Sequence, residues 1–325
     1  MSTEADFTRF KGVRHIGNDQ LLTILEANLK AYLDWSLLGI GGWIDVDIPQ
    51  SGIWGADQSV LRAVNDPAYV DGRVWEGVRK DWVWETGVDY ISVDTTTGNP
   101  QAVGTPEVDG TPTVAPYAIN YPLGRIIFDS AISPSATVKV EHAYRYAQVH
   151  TAVGTEWWQE IQPGSFRNND AQISETIKGD WSIGSEKRVQ LPAVVVEGVS
   201  RANSKGYELG NGSLVISQDV LFNVIAENRY NRNKLVDIIR QQSDKTIWLF
   251  DTNTVNAGGD APLDANGALV GSKMYPDLVD TAANGGYRWN KCRMTNAVVS
   301  EVEPIHPSLY EGVVRTTMEV VLGGI

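Results

Sequence analysis

Residues 137–146 read TVKVEHAYRY, ten positions in which apolar or aromatic side chains alternate with polar ones. Successive side chains of an extended chain point to opposite faces. Such an alternation therefore commits its segment to a β-strand with one buried face, here Val138, Val140, His142, Tyr144 and Tyr146 or the reverse set. Two shorter strands are expected just before it, at 118–121 and 125–128, with turns at 122–124 and 129–135. Three strands joined by tight turns predict an antiparallel β meander, half of a sandwich.

The first strong element upstream is helical. Leu21, Leu22, Leu25, Leu29, Tyr32, Leu33 and Leu37 recur at three- and four-residue spacing and make one apolar face. Asn18 or Asp19 can cap its start, since a short side-chain oxygen accepts from the free amides of the first turn. Gly39, Gly41 and Gly42 end it. Residues 43–48 alternate as a strand that Pro49 stops. Residues 51–75 read as loop, 80–85 as a short stretch with two tryptophans, and 88–93 as a strand. The Thr/Gly/Pro-rich 94–116 reads as a long exposed loop, a feature often found at interfaces.

Residues 156–161 carry Trp157 and Trp158 as a short strand or extended link, and 163–188 are polar and poorly patterned. The second half has a different grammar. Strands are expected at 191–199, 214–226, 246–250, 292–302 and 313–322, with a helix at 230–243 and a long Gly/Asn/Asp loop at 251–287. The fold expected is α+β and β-rich: an N-terminal helix with an antiparallel meander or sandwich, then an antiparallel sheet with one helix packed across it. The domains expected are 1–150, a linker at 151–190, and 191–325.

The net charge of −13 argues against holding nucleic acid by neutralising phosphates, which needs clustered Lys and Arg. An acidic wall that lets DNA slide past remains compatible with it. The single cysteine, Cys292, forms no internal disulfide and no Cys-rich metal site, and suits a reducing compartment. Residues 1–8 are polar and acidic, so no leader peptide is expected, and the longest apolar stretch, 32–44, is too short and broken to span a bilayer.

A catalytic reading finds little support. His15, His142, His150 and His306 form no metal-binding or triad pattern, and no nucleophile elbow, phosphate-binding loop or dinucleotide fingerprint occurs. Asp45 and Asp47, two apart on a strand, present two carboxylates to one face, a pattern common on solvated surfaces. The expectation is a non-enzyme with no catalytic residue, cofactor or metal. Eleven tryptophans and twelve tyrosines beside six phenylalanines suit either a Trp-rich core or protein interfaces, where amphipathic rings are enriched. Trp82, Trp84, Tyr144, Tyr146, Trp157, Trp158, Tyr230 and Arg232 are the interface candidates.

Two stretches carry a resemblance. NYPLGRIIFD at 120–129, followed by ATVKVEHAYRY at 136–146, resembles a strand–turn–strand of tailed-bacteriophage neck and tail-completion proteins. QDVLFNVIAEN at 218–228, RNKLVDII at 232–239 and WLFD at 248–251 are similar to the strand–helix–strand core of head–tail connectors and tail terminators, and the strand and return strand of 301–322 fit the same pattern. The resemblance covers about a third of the chain and carries over no catalytic residue. It implies a structural virion protein, assembled in the host cytoplasm as a hexameric or dodecameric ring of copies of itself. DNA would pass through only as cargo, no membrane would be involved, and portal or adaptor proteins would lie on one side and tube and sheath on the other. A tail terminator capping tube and sheath is the second reading. The third, of another class, is a baseplate or tail-tip protein that binds host carbohydrate along Trp43, Trp54, Trp75, Trp82 and Trp84.

Overall fold

The computed structural model describes residues 18–49, 57–84, 92–93, 100–101, 103–162, 173–177, 180–206, 214–252, 255, 261–269, 278, 291–301 and 306–322. Helix α1 (Asn18–Gly39) leads into β1 (Trp43–Val46), β2 (Val60–Val64) and β3 (Val74–Glu76). Short strands follow: β4 (Ser92–Val93), β5 (Pro100–Gln101), β6 (Glu107–Val108), β7 (Thr111–Pro112), β8 (Tyr117–Asn120), β9 (Arg125–Phe128), β10 (Val138–Lys139), β11 (His142–Arg145) and β12 (Gln148–Thr151). Then come α2 (Glu156–Ile161), β13 (Ile173–Ile177), β14 (Asp180–Ile183) and β15 (Glu186–Gln190). The long strands β16 (Ala193–Gly206) and β17 (Leu214–Ala226), helix α3 (Arg229–Arg240), β18 (Thr246–Trp248), β19 (Lys291–Glu301) and β20 (Tyr310–Leu322) complete the order. The architecture is α+β and β-rich, as the sequence implied.

The dominant layer is a six-stranded sheet of order β12-β16-β17-β20-β19-β18. Its pairs are antiparallel except β12–β16, which is parallel, an arrangement that a reading of consecutive strands does not foresee. On one face Val194, Val196, Ile216, Phe222, Val224, Val314 and Met318 pack with Leu21, Leu25, Leu29 and Leu33 of α1 and with Leu235 and Ile239 of α3. Each helix offers the sheet its apolar stripe. For α3 the start is set by Asn228, whose side chain accepts from the Asn231 amide at 2.8 Å. For α1 the placement is reinforced by Asn28, whose amide donates to the Phe250 carbonyl while its oxygen accepts the Phe250 amide, at 2.9 and 2.8 Å. The core of the second half therefore includes the N-terminal helix, and a boundary at 151–190 cuts across it.

The other face carries a smaller layer. Trp157, Trp158 and Ile161 of α2 and Trp181, Ile183 and Val189 of the sheet β13-β14-β15 pack on Ala193, Val195 and Ile225. The expected linker at 151–190 is thus corrected, because its described residues form a helix and a three-stranded sheet. Its sparse apolar residues are large tryptophans, so few positions suffice to make a core and the polar background hides the pattern.

The expected meander is also corrected. The hairpin β8–β9 forms, but β9 pairs next with β3, in a seven-stranded sheet of order β7-β6-β10-β2-β3-β9-β8. The hairpin β2–β3 lies in the segment read as loop. The strand read at 137–146 divides: β10 joins this sheet, while β11 pairs with β1. All four residues of β11 are buried, because both of its faces are covered. Residues 156–161 form a helix instead of a strand, and most of 85–99 and of the 251–287 loop lie outside the described residues.

Candidate functional site

Most of the interface candidates are interior. Trp82 and Tyr144 belong to the core of the seven-stranded sheet, together with Trp75 and Phe128. Trp82 donates its indole N–H to the Arg79 carbonyl at 2.8 Å and stacks at a tilt on His142. Trp157 and Trp158 meet edge to face within the smaller core. Arg232 is buried and donates to the Glu311 carbonyl at 3.0 Å. These five are corrections to an interface reading: an aromatic or Arg-rich stretch signals burial, and a sequence does not say whether a neighbour in the chain or a partner does the burying. Trp84 and Tyr146 are half-buried, and Lys234 Nζ lies 4.9 Å above the Tyr146 ring. Tyr230, 74% exposed at the start of α3, is the candidate that stays open. Of the tryptophans assigned to a carbohydrate groove, Trp75 and Trp82 are buried and Trp54 lies outside the described residues.

The seam between the β-rich unit and the β14–β15 hairpin is ionic. Glu76 is only 4% exposed and accepts from Arg62 at 2.8 Å, Arg125 at 2.9 Å and Arg188 at 2.8 Å. Burial alone would raise its carboxyl pKa, but Arg188, Arg62 and Arg125 outweigh burial and hold it below the usual carboxylate range. Arg188 also reaches Asp180 and the carbonyls of Gly77 and Val78. Lys80, beside Glu186 at 3.4 Å, has its pKa lowered by burial. Above this seam a cavity of about 220 Å³ brings Tyr144 and Tyr146 together with Arg79, Gln148, Gln190 and Asn228. The Arg79 guanidinium stands 5.5 Å from the Tyr144 ring centre.

Burial moves His142, His150 and Cys292 away from neutrality while raising the Glu311 carboxyl to about 7. Burial pushes His142 down to about 4, and burial, aided by Lys30 and Lys80, pushes His150 down to about 3. Burial pushes the Cys292 thiol up to about 12. Asp45 is raised by partial burial and by Asp47 beside it, and both are exposed. Among the described residues no three His, Cys, Asp or Glu side chains stand close enough to share a metal ion, and no helix is long and apolar enough to cross a membrane.

What the surface does offer is sheet edge. β12 covers only Ala193–Val196 of β16, and β18 covers only Lys291–Arg293 of β19, with backbone bonds carrying that pairing on to Met294. Among the described residues no strand borders the rest of β16 or β19 on its outer side. Val298 and Val299, neighbours whose side chains leave the sheet on opposite faces, are 57% and 39% exposed. That pair of adjacent valines was in the sequence, but the pairing that leaves them on an edge was not.

Compared with protein-family models, curated proteins and solved structures, the chain shows no significant match.

Proposed function

We propose that this chain is a structural subunit of a tailed-bacteriophage neck, a ring through which DNA passes and to which the tail attaches, and that it acts without catalysing a reaction. The observation that carries the reading is the long-stranded sheet. The stretch resembling head–tail connectors spans β17, α3 and β18 and continues into a sheet with β19 and β20. Four long strands, with outer edges open among the described residues, lie between α1 and α3 on one face and α2 with a three-stranded sheet on the other, a rigid body suited to repetition around an axis.

The same strand–helix–strand order supports a tail terminator as the second reading. The carbohydrate-binding reading loses support because Trp75 and Trp82 lie in the core. Negative-stain class averages of the purified chain test the proposal. Sixfold or twelvefold rings with a central hole are expected. A stable monomer that is retarded on a glycan column would overturn it. Co-purification then separates the two ring readings, with portal and adaptor marking a neck and tube and sheath marking a terminator. The lumen is expected to carry Asp and Glu more than Lys, so a strongly basic channel in a reconstruction would contradict the DNA-passage role.

A further inference from the structure

We infer that copies of this chain join edge to edge, the regular segment 298–301 of β19 in one copy pairing antiparallel with 202–205 of β16 in the next. This deepens the self-assembly part of the proposed function and is independent of the virion assignment.

Direction comes first. β16, β17, β20 and β19 alternate in direction, so the two outer long strands run opposite ways. Laying one copy beside the next without turning it over therefore sets β19 antiparallel to β16. A twofold-related copy would instead join like edges. Position comes second. β12 blocks β16 at its start, and β18 blocks β19 at its start, which lies at the opposite end of the sheet. The two free segments are staggered, like the halves of a lap joint. The bulges between Gly198 and Ala202 and between Thr295 and Val298 bound these segments and leave 202–206 and 298–301 regular.

Facing residues must share a face of the sheet, which restricts the register. Val299 pairs with Val314, and Ser204 pairs with Ile216, and both partners point into the core shared with the helices. Setting Val299 opposite Ser204 places Val298 opposite Lys205 on the other face. Native proteins usually guard an edge with charge. Here 296–300 is Asn-Ala-Val-Val-Ser, with exposed valines on both faces, while Lys205 and its neighbours from 203 to 206 are exposed on the other edge.

The stagger then has a geometric consequence. Within one copy Val299 stands level with Phe222 of β17, whereas Ser204 stands level with Ile216, six residues along that strand. Six residues at ~3.3 Å are about 20 Å of shear, taken up over four strands ~4.8 Å apart, which tilts the strands by roughly 45°. Closed barrels have tilts of about 35–45°. A heterologous contact with this shear leads toward a closed ring instead of a flat, open ribbon.

Cysteine pairing and an edge charge test the inference together. Ser204→Cys and Val299→Cys proteins, made separately and mixed under oxidising conditions or with a short bifunctional linker, should cross-link between chains. Ser204→Cys with Val298→Cys, on opposite faces, should not. Native Cys292 is buried and stays out of the reaction. Val298→Lys, set against Lys205, should raise the dissociation constant of the assembly roughly fivefold or more, and Val298→Glu should not. If the wild-type chain assembles but neither the cross-link nor the charge effect appears, the edge pairing is overturned and assembly stands by another surface. If the wild-type chain stays monomeric at every concentration tried, the pairing and the ring reading fall together.

Discussion

Gly198 lies in β16 where α1 crosses it. A Cβ built there would run into the Leu22 side chain, with Leu22 Cγ at 2.8 Å and Glu26 Oε1 at 3.1 Å, while the Gly198 amide donates to Glu26 Oε1 at 2.8 Å. Carbon atoms in contact sit near 3.5–4.0 Å, so Gly198→Ala must displace the Leu22 side chain from its place between α1 and the sheet. Overpacking of this kind costs about 1–3 kcal/mol, and the lower entropy of the unfolded alanine chain offsets ~0.4–1 kcal/mol of that. A net loss of about 1–2 kcal/mol is expected. Leu22→Ala alone trims a half-buried side chain and should cost about 1–2 kcal/mol. In the double variant the methyl occupies space that Leu22 has vacated, so the two losses should fall short of additivity by roughly 1 kcal/mol or more. Urea unfolding followed by tryptophan fluorescence, at one fixed protein concentration, measures all three variants. Additivity within ~0.5 kcal/mol would refute the docking of the N-terminal helix on the second-half sheet.

Glu76→Gln leaves Arg62, Arg125 and Arg188 converging on a neutral amide and should cost about 3–5 kcal/mol in an unfolding titration. Because the folded Glu76 carboxyl is depressed, its contribution is present above the unfolded carboxyl pKa and disappears as pH falls through the folded one, so wild type should lose stability in acid more steeply than Glu76→Gln. Glu311 has the opposite sign. Burial raises it to about 7, so stability should decline as pH rises from the ordinary carboxyl range of ~4.5 toward 7, and Glu311→Gln should flatten that decline; an unchanged pH profile would refute the burial. Cys292 should react with a thiol reagent orders of magnitude more slowly in the native chain than in denaturant, which a colorimetric thiol assay reads directly.

The sequence on its own determined the elements whose pattern is local. The leucine spacing before Gly39 makes α1, and the helical pattern within 230–243 makes α3. The alternation of 214–226 makes β17, and the NYPLG turn makes the hairpin β8–β9. Periodicity reports that one face is buried and is silent about what buries it. Only the tertiary structure sent α1 to a sheet whose long strands begin more than 150 residues away, with Asn28 bound to Phe250 across 222 positions. It also divided 137–146 between two sheets, set β12 parallel to β16, and turned Trp82, Trp157 and Trp158 inward. Each of these depends on a contact between distant segments, whose free energy belongs to the pair and appears in neither segment alone. The edges that β16 and β19 leave open among the described residues belong to the same class, since an edge exists only once the other pairings have been made.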